Sequence, residues 1–387
     1  MSDGALSDGL AVWLDALLAS VDAVSRPARV AHRQPVHTAY VPADAFGADT
    51  AREWGTAALS LLHAHAPRPD ALGVDDEVYA RVVAKLEREP VEDLRVDFED
   101  GYGDRPADEE DRHARAAGIA LASPTTRASG LRIKSFEPAT RARAPRTLDL
   151  LLSSAGRVPE GFVVTLPKVS APEQVRAIDE VCSAVDETFS GAPLRFELQV
   201  ETPAAVARMA EIVAVAGERC AGLHYGTYDY SAALGVAAPH QSLDHPVADH
   251  AKAVMQVAAA TAGLRVVDGS SNVLPVGDTA EVRAAWALHM RLVDRSMRGG
   301  IYQGWDLHPG QLVSRYAAAF SFYRNGFATA AARLSDYHSR VSGGVLDEPA
   351  TARALAGYLA RGLDCGAIDD AEVRAATGLG RAELDAM

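Results

Sequence analysis

The feature that most constrains this chain is an alternation. Eight short apolar runs of strand character are separated by stretches with helical periodicity. The runs are Val36–Ala43, Leu94–Gly101, Gly130–Phe136, Gly161–Val169, Leu194–Thr202, Ala221–Tyr228, Leu264–Ser270 and Gly300–Leu307. Between them, Pro106 ahead of Asp108-Glu109-Glu110, Pro172-Glu173 and Pro203 place proline or acids in first turns, where free N–H groups favour them. Strand–helix alternation with right-handed crossovers gives a parallel sheet, and eight repeats close it into a barrel. The expected fold is therefore an α/β (β/α)8 TIM barrel. A doubly wound open sheet is the rival, but no G-x-G-x-x-G follows the first strand and no G-x-x-x-x-G-K-[ST] occurs. An amphipathic helix is expected over Leu10–Val24, and the gap from Asp44 to Asp93 is long enough for more than one helix. From Pro309 the pattern is helical only, interrupted at Ser342-Gly343-Gly344. This divides the chain into a barrel with its N-terminal helix (1–309) and a C-terminal helical extension, read as a lid (310–387).

Composition narrows the partners. With 48% hydrophobic and 23% charged residues in 387, a large core is within reach. A net charge of −14 argues against nucleic acid or an anionic membrane as the main partner and leaves small molecules. Cys182, Cys220 and Cys365 are too few and too scattered for a disulfide framework or a C-x-x-C metal site. No basic-then-apolar leader opens the sequence and no run approaches the roughly 20 apolar residues of a membrane span, so a cytoplasmic protein is expected.

In such a barrel the active site forms where strands end and loops begin. Several predicted strand ends carry costly polar residues. Asp97 and Glu99 share a face at the end of the second strand, and the repulsion between them needs cations or donors. Arg132 and Lys134 share a face on the third; Arg132 suits a carboxylate, a substrate's or a neighbour's. Lys168 ends the fourth after Pro167. Glu197, Gln199 and Glu201 line one face of the fifth, and Pro203 fixes Glu201 at its end. Asp229 closes the sixth behind Gly226. Two carboxylates on adjacent strand ends, Glu201 and Asp229, can hold Mg²⁺ with water and substrate oxygens completing the shell; a carboxylate–Arg/Lys network without metal is the alternative. A hard cation beside a carbonyl oxygen stabilises an enolate, and Arg132 would add a second positive charge. His63 and His65 do not share a helix face, and His308 either lines the site or lies outside it.

These motifs resemble those of the citrate lyase β-subunit / HpcH–HpaI aldolase superfamily and its relatives, the malate synthases. They are Val41-Pro42-Ala43-Asp44, Asp97-Phe98-Glu99-Asp100, Arg132, Leu166-Pro167-Lys168, Glu201-Thr202-Pro203, Gly226-Thr227-Tyr228-Asp229 and His308-Pro309-Gly310-Gln311, in family order across about 270 residues. Each motif is weak alone; the ordered set is specific. The resemblance implies that Glu201 and Asp229 bind Mg²⁺, that Asp97 and Glu99 hold metal-bound waters, and that Arg132 polarises the substrate oxygen. It further implies that the backbone at Gly226, Thr227 and Tyr228 cradles the carboxylate of a small 2-oxo acid, with Lys168 beside it. The stretch Val345-Leu346-Asp347-Glu348-Pro349-Ala350-Thr351-Ala352 resembles the malate synthase segment whose aspartate deprotonates the methyl of acetyl-CoA. Aligned on Ala350-Thr351-Ala352, that base falls on Glu348, one methylene longer, with Asp347 just before it. The same residues also read as an ordinary helix N-terminus.

The function so implied is a Mg²⁺-dependent carbon–carbon lyase or synthase acting through an enolate on an acyl-CoA and a 2-oxo acid such as glyoxylate, in a homo-oligomer. The alternatives are a CoA-independent aldolase releasing pyruvate from a 4-hydroxy-2-oxo acid, and a subunit that needs an acyl-carrier partner.

Overall fold

The computed structural model describes residues 33–339 and 348–387, together with Trp13, Ala16 and Leu17. The helix expected over Leu10–Val24 otherwise falls outside the described residues. All eight strands form: β1 (His37–Pro42), β2 (Asp93–Asp97), β3 (Ala128–Arg132), β4 (Phe162–Leu166), β5 (Arg195–Val200), β6 (Cys220–Tyr225), β7 (Arg265–Val267) and β8 (Gly304–Asp306). They lie parallel in the order β7-β6-β5-β4-β3-β2-β1-β8. Between the short outer strands, Asp268 N donates to Gln303 O at 2.8 Å and Trp305 N to Gly269 O at 3.3 Å. The fold is a (β/α)8 barrel, as the alternation requires.

Strand alternation explains how the barrel is packed. One face of each strand is apolar, with Val96, Leu131, Ile133, Val164, Leu166, Leu198, Val200 and Leu223 joining a core built with the surrounding helices. The other phase is polar yet buried, including Asp93, Arg95, Asp97, Arg132, Thr165, Glu197, Gln199 and His224. An interior of this kind is stable only where charges are paired and donors satisfied. Asp93 answers Arg95 with both oxygens, at 2.9 and 2.8 Å, and Glu197 lies 3.2 Å from Arg95 and 3.1 Å from His224.

The first crossover holds three helices, α1 (Thr50–His65), α2 (Pro69–Leu72) and α3 (Asp76–Arg88). Asp75 caps α3 by accepting from Val78 N at 2.7 Å. Then come α4 (Ala107–Leu121), α5 (Arg143–Ala155), α6 (Pro172–Thr188), α7 (Pro203–Ala207), α8 (Met209–Ala216), α9 (Thr227–Ala233), α10 (Pro246–Ala262) and α11 (Thr279–Arg298). Asp278 and Glu281 form a reciprocal capping box at the start of α11.

The division expected after residue 309 falls at the start of one continuous helix, α12 (Pro309–Ser339). Its first turns close the barrel, with Arg315 pairing with Asp306 of β8 at 2.9 Å. Its 31 residues then extend about 45 Å. α13 (Pro349–Cys365) runs back antiparallel: Tyr358 donates to Phe322 O and Tyr323 O at 2.6 and 2.9 Å, and Gly362 packs on Tyr323. Arg361 stacks 4.3 Å over the ring of Tyr302, just ahead of β8, and Asp364 and Cys365 lie within electrostatic range of Arg265 and Glu92, at the starts of β7 and β2. α14 (Asp370–Thr377) and α15 (Arg381–Asp385) follow, tied down by Arg81–Asp369, Arg324–Glu372 and Arg381–Asp364 pairs. The C-terminal helices therefore sit at the strands' N-terminal ends and on α3.

That position overturns the lid reading for a single chain. The reading assumed that the 342–344 break, which lies outside the described residues, lets the tail fold back over the barrel mouth. Instead the length of α12 carries the chain away from the mouth before any break is reached.

Candidate active site

At the C-terminal ends of β2 and β3 the register pairs Asp97 with Arg132. Arg132 grips Asp97 with a fork, Nε to Oδ1 at 2.6 Å and Nη2 to Oδ2 at 2.5 Å. Its Nη1 faces Gln199 Oε1 and Glu99 Oε2, each at 3.4 Å. The guanidinium also lies over the rings of Tyr40, at 4.9 Å, and Trp305, at 5.8 Å. Burial works against its charge, but Asp97 and Glu99 together hold the group well above its ordinary pKa.

Asp97 also explains why β2 ends four residues before the expected Gly101. Its carboxylate accepts from the amides of Glu99, at 2.9 Å, and Gly101, at 3.0 Å, which turns the chain out of the ladder. A Cβ at position 101 would collide with Asp97 Oδ2, so the turn needs glycine there.

The second centre is Lys168. Its ammonium lies 3.0 Å from Glu99 Oε1, 3.0 Å from Asp100 Oδ2 and 2.6 Å from Asp229 Oδ2. Its backbone N–H donates to Glu201 Oε1 at 2.7 Å. Among the described residues it is the one non-glycine with positive φ, at 53°, a conformation that persists only when its surroundings enforce it. Glu201 follows β5; its other oxygen accepts from Gln199 Nε2. Burial is the main cause lifting the Glu201 pKa to about 7, opposed by Lys168 and reinforced by Glu99. Thr202 accepts from Ala205 N at 3.0 Å and Pro203 opens α7, which holds Glu201 at the strand end.

Asp229 is placed differently from expectation. β6 stops at Tyr225, so Asp229 lies in the first turn of α9 and not on a strand end. Asp229 also has a cation partner that the sequence reading did not name, the ammonium of Lys168 from the neighbouring strand end, and Glu201 accepts from the backbone N–H of the same residue. Gly226 N is committed to Val200 O at 3.0 Å, and a Cβ there would strike Glu201. The side chains of Thr227 and Tyr228 both donate to Ser270 O, at 3.3 and 3.2 Å, anchoring the turn to the loop after β7. Gly226 thus serves backbone pairing and close approach to Glu201, leaving Thr227 and Tyr228 as the amides available for a cradle.

The remaining expectations separate. Lys134 Nζ donates to Gly103 O at 3.2 Å, on the loop after β2. His308 is half-buried and accepts from Gly310 N at 3.1 Å. Asp347 lies outside the described residues. Glu348 is exposed and precedes α13, opposite the far end of α12, on the order of 40 Å along that helix from Pro309. The structure does not bring it to the site of its own chain.

Sequence reasoning also missed the aromatic floor. Trp305 Nε1 donates to His224 Nδ1 at 2.9 Å, and His224 Nε2 faces Glu197 Oε2 at 3.1 Å, so the indole beneath Arg132 is fixed by a buried chain. The signal was Tyr40 and Trp305 falling in the inward phase of β1 and β8.

Among the described residues no three His, Cys, Asp or Glu side chains form a ready-made metal cage. The donor set nevertheless fits a hard cation. Glu99, Asp100 and Asp229 surround one compact ammonium, a stand-in cation, and Glu201 accepts from the backbone N–H of the same lysine.

The sequence matches, over residues 19–387, a family described as a domain of unknown function, DUF6986. The chain belongs to the DUF6986 family. No curated protein matches it by sequence. Among solved structures it is similar to a citrate lyase from Burkholderia xenovorans LB400, at 22% identity and a TM-score of 0.60, covering 88% of this chain and 95% of that one. It is also similar to the magnesium/glyoxylate complex of Haloferax volcanii malate synthase, at 17% identity and a TM-score of 0.53, covering 75% and 76%. At these identities the likeness is one of fold. This DUF6986 barrel is built like those of citrate lyase and malate synthase, the superfamily its motifs resemble, and no helix among the described residues is long and apolar enough to cross a membrane.

Proposed function

We propose that this DUF6986 protein is a Mg²⁺-dependent carbon–carbon lyase or synthase that works through an enolate, on a small 2-oxo acid such as glyoxylate and an acyl-CoA. The observation that carries the reading is the convergence of three carboxylates on one compact cation, with a fourth, Glu201, on the backbone N–H of the same lysine, next to a buried arginine at the mouth of the barrel. Glu201 and Asp229 would hold the metal, with Glu99 and Asp100 beside them. Bound there, Mg²⁺ would supply Lewis-acid stabilisation of negative charge on a substrate carbonyl oxygen.

The chain's own residues do the rest. Arg132, oriented by Asp97 and by the rings of Tyr40 and Trp305, presents Nη1 to the same space and stabilises developing enolate charge. Thr227, Tyr228 and Lys168 receive the substrate carboxylate. Glu348 of the same chain is too far away to act as base, so the role its resemblance gives it requires a neighbouring copy.

The test is an activity screen of the purified protein with Mg²⁺, glyoxylate and a panel of acyl-CoAs, run beside 4-hydroxy-2-oxo acids. Thioester consumption dependent on both Mg²⁺ and glyoxylate is the expected result. Pyruvate release without CoA would replace this reading with a CoA-independent aldolase.

A further inference from the structure

Lys168 is an unusual choice of residue for this chain. The sequence has four lysines, and arginine supplies the rest of its 38 basic side chains. Three of the lysines are buried in local networks: Lys85 on Glu89 and Glu92, Lys134 on Gly103 O, and Lys252 on Leu243 O and Asp268. The fourth, Lys168, keeps 23% of its side chain exposed and reaches three carboxylates on two different segments. A guanidinium is a broad planar fork, whereas an ammonium is a compact point charge on a flexible stem. Only the latter is close to a metal ion in size and shape. The left-handed backbone at Lys168 points the same way, because a non-glycine holds φ of 53° only where contacts such as the Lys168 N–H to Glu201 bond enforce it.

We infer that Lys168 is an exchangeable internal cation of the metal site: its ammonium neutralises Glu99, Asp100 and Asp229 while no metal is bound, and a divalent ion entering between Glu201 and Asp229 displaces it toward the substrate. This rests on the metal reading proposed above. The physical reason is charge. Mg²⁺ and an ammonium cannot share the same carboxylate oxygens without strong like-charge repulsion. Glu201 and Asp229, which would hold the metal, each present an oxygen that Lys168 contacts, through its backbone N–H on Glu201 and its Nζ on Asp229. The partly exposed stem gives the displaced ammonium a path to the mouth, where an anionic substrate can take it up. Lys168 therefore acts against metal binding and for substrate binding. A lysine that only stabilised the fold would not have opposite effects on the two ligands.

Calorimetric titration with Mg²⁺ alone tests this on the full chain and on Lys168→Met and Lys168→Gln. Mg²⁺ affinity is expected to rise about tenfold or more in both variants, equivalent to about 1.4 kcal/mol or more, while glyoxylate affinity of the Mg²⁺-loaded variants falls. Unchanged or weaker Mg²⁺ binding in folded variants would overturn the inference. Glu201→Ala, titrated alongside, separates this from failure of the metal reading: if the unsubstituted protein binds no Mg²⁺, or binds it as well without Glu201, the metal reading fails and takes this inference with it. Should neither Lys168 variant fold, reductive ¹³C-methylation of the unsubstituted chain reports on the same lysine, the most exposed of the four. Its resonance is expected to shift on Mg²⁺ addition, and a resonance that does not move would equally overturn the inference.

Discussion

Two side chains at the mouth of the barrel carry most of the chemical argument. Glu201 is buried with its carboxyl lifted to about 7, and Asp229 shares Lys168 with it. Removing either carboxylate takes away a hard oxygen donor that water cannot replace with equal charge. Glu201→Ala and Asp229→Ala are therefore expected to lower Mg²⁺ affinity by at least about tenfold while leaving the circular dichroism spectrum unchanged. Equal affinity in both variants would remove the metal assignment. At Arg132 the expectation combines two roles. The fork to Asp97 is a buried ion pair, and Nη1 is the part turned to the site. Arg132→Lys keeps the charge but loses the planar fork, so turnover should fall roughly 10²–10³-fold. The broken pair should cost about 1–3 kcal/mol of stability. Near-normal turnover with a much lower melting temperature would reduce Arg132 to a structural ion pair.

At the level of elements, the inward faces of β2, β5 and β6 build a charged layer beneath the site. Glu197 is its titratable centre. Burial alone would raise its pKa, but Arg95 and His224 outweigh burial and hold it at about 2, below its ordinary 4.5. A carboxylate with a depressed folded-state pKa contributes stability that is present above its unfolded pKa and lost as pH falls toward the folded value. Denaturant melts between pH 5 and pH 2 should show this loss in the unsubstituted protein. In Glu197→Gln the slope over that window should flatten, alongside a lower stability at neutral pH from the lost ion pairing of Glu197 with Arg95. An unchanged slope would mean that other carboxylates control acid unfolding.

For the whole molecule, the decisive feature is the direction taken by α12. It leaves from the mouth, passes the starts of the strands and carries the tail to the far side. Leu359 is fully buried between α13 and its neighbours. Leu359→Ala is expected to cost roughly 2–4 kcal/mol and to speed proteolysis of the tail. Mg²⁺ affinity should not change, because the site does not touch these helices; a drop in affinity would show coupling through α12. Glu348→Gln should likewise leave Mg²⁺ and glyoxylate binding intact. Deuterium exchange into the methyl of an acyl-CoA, followed by NMR, then decides its role. Loss of exchange with binding preserved would mean that the base comes from a neighbouring copy, and exchange at the original rate would remove Glu348 from the mechanism.

The eight strands, their order along the chain and the polar residues at their ends were legible in the sequence, because a period of two, a period of 3.6 and proline placement are local properties of a chain. That Asp97 and Arg132 lie in the inward phase follows from the same local rule, whereas Glu99 and Lys134 lie beyond the ends of β2 and β3, where the rule no longer applies. Three things were not legible. Asp229 on a helix instead of a strand end depended on where β6 stops, which is set by Gly226 pairing with Val200 and approaching Glu201. Lys168 as the partner of Glu99, Asp100 and Asp229 depended on side chains separated by 61 residues or more meeting across the mouth. The position of Glu348 depended on a helix of 31 residues continuing straight past the barrel, and no periodicity records the direction in which a helix leaves. Local geometry is written in neighbouring residues. The meeting of distant charges, and the end of the barrel to which the tail returns, are decided only when the sheet closes and its helices pack.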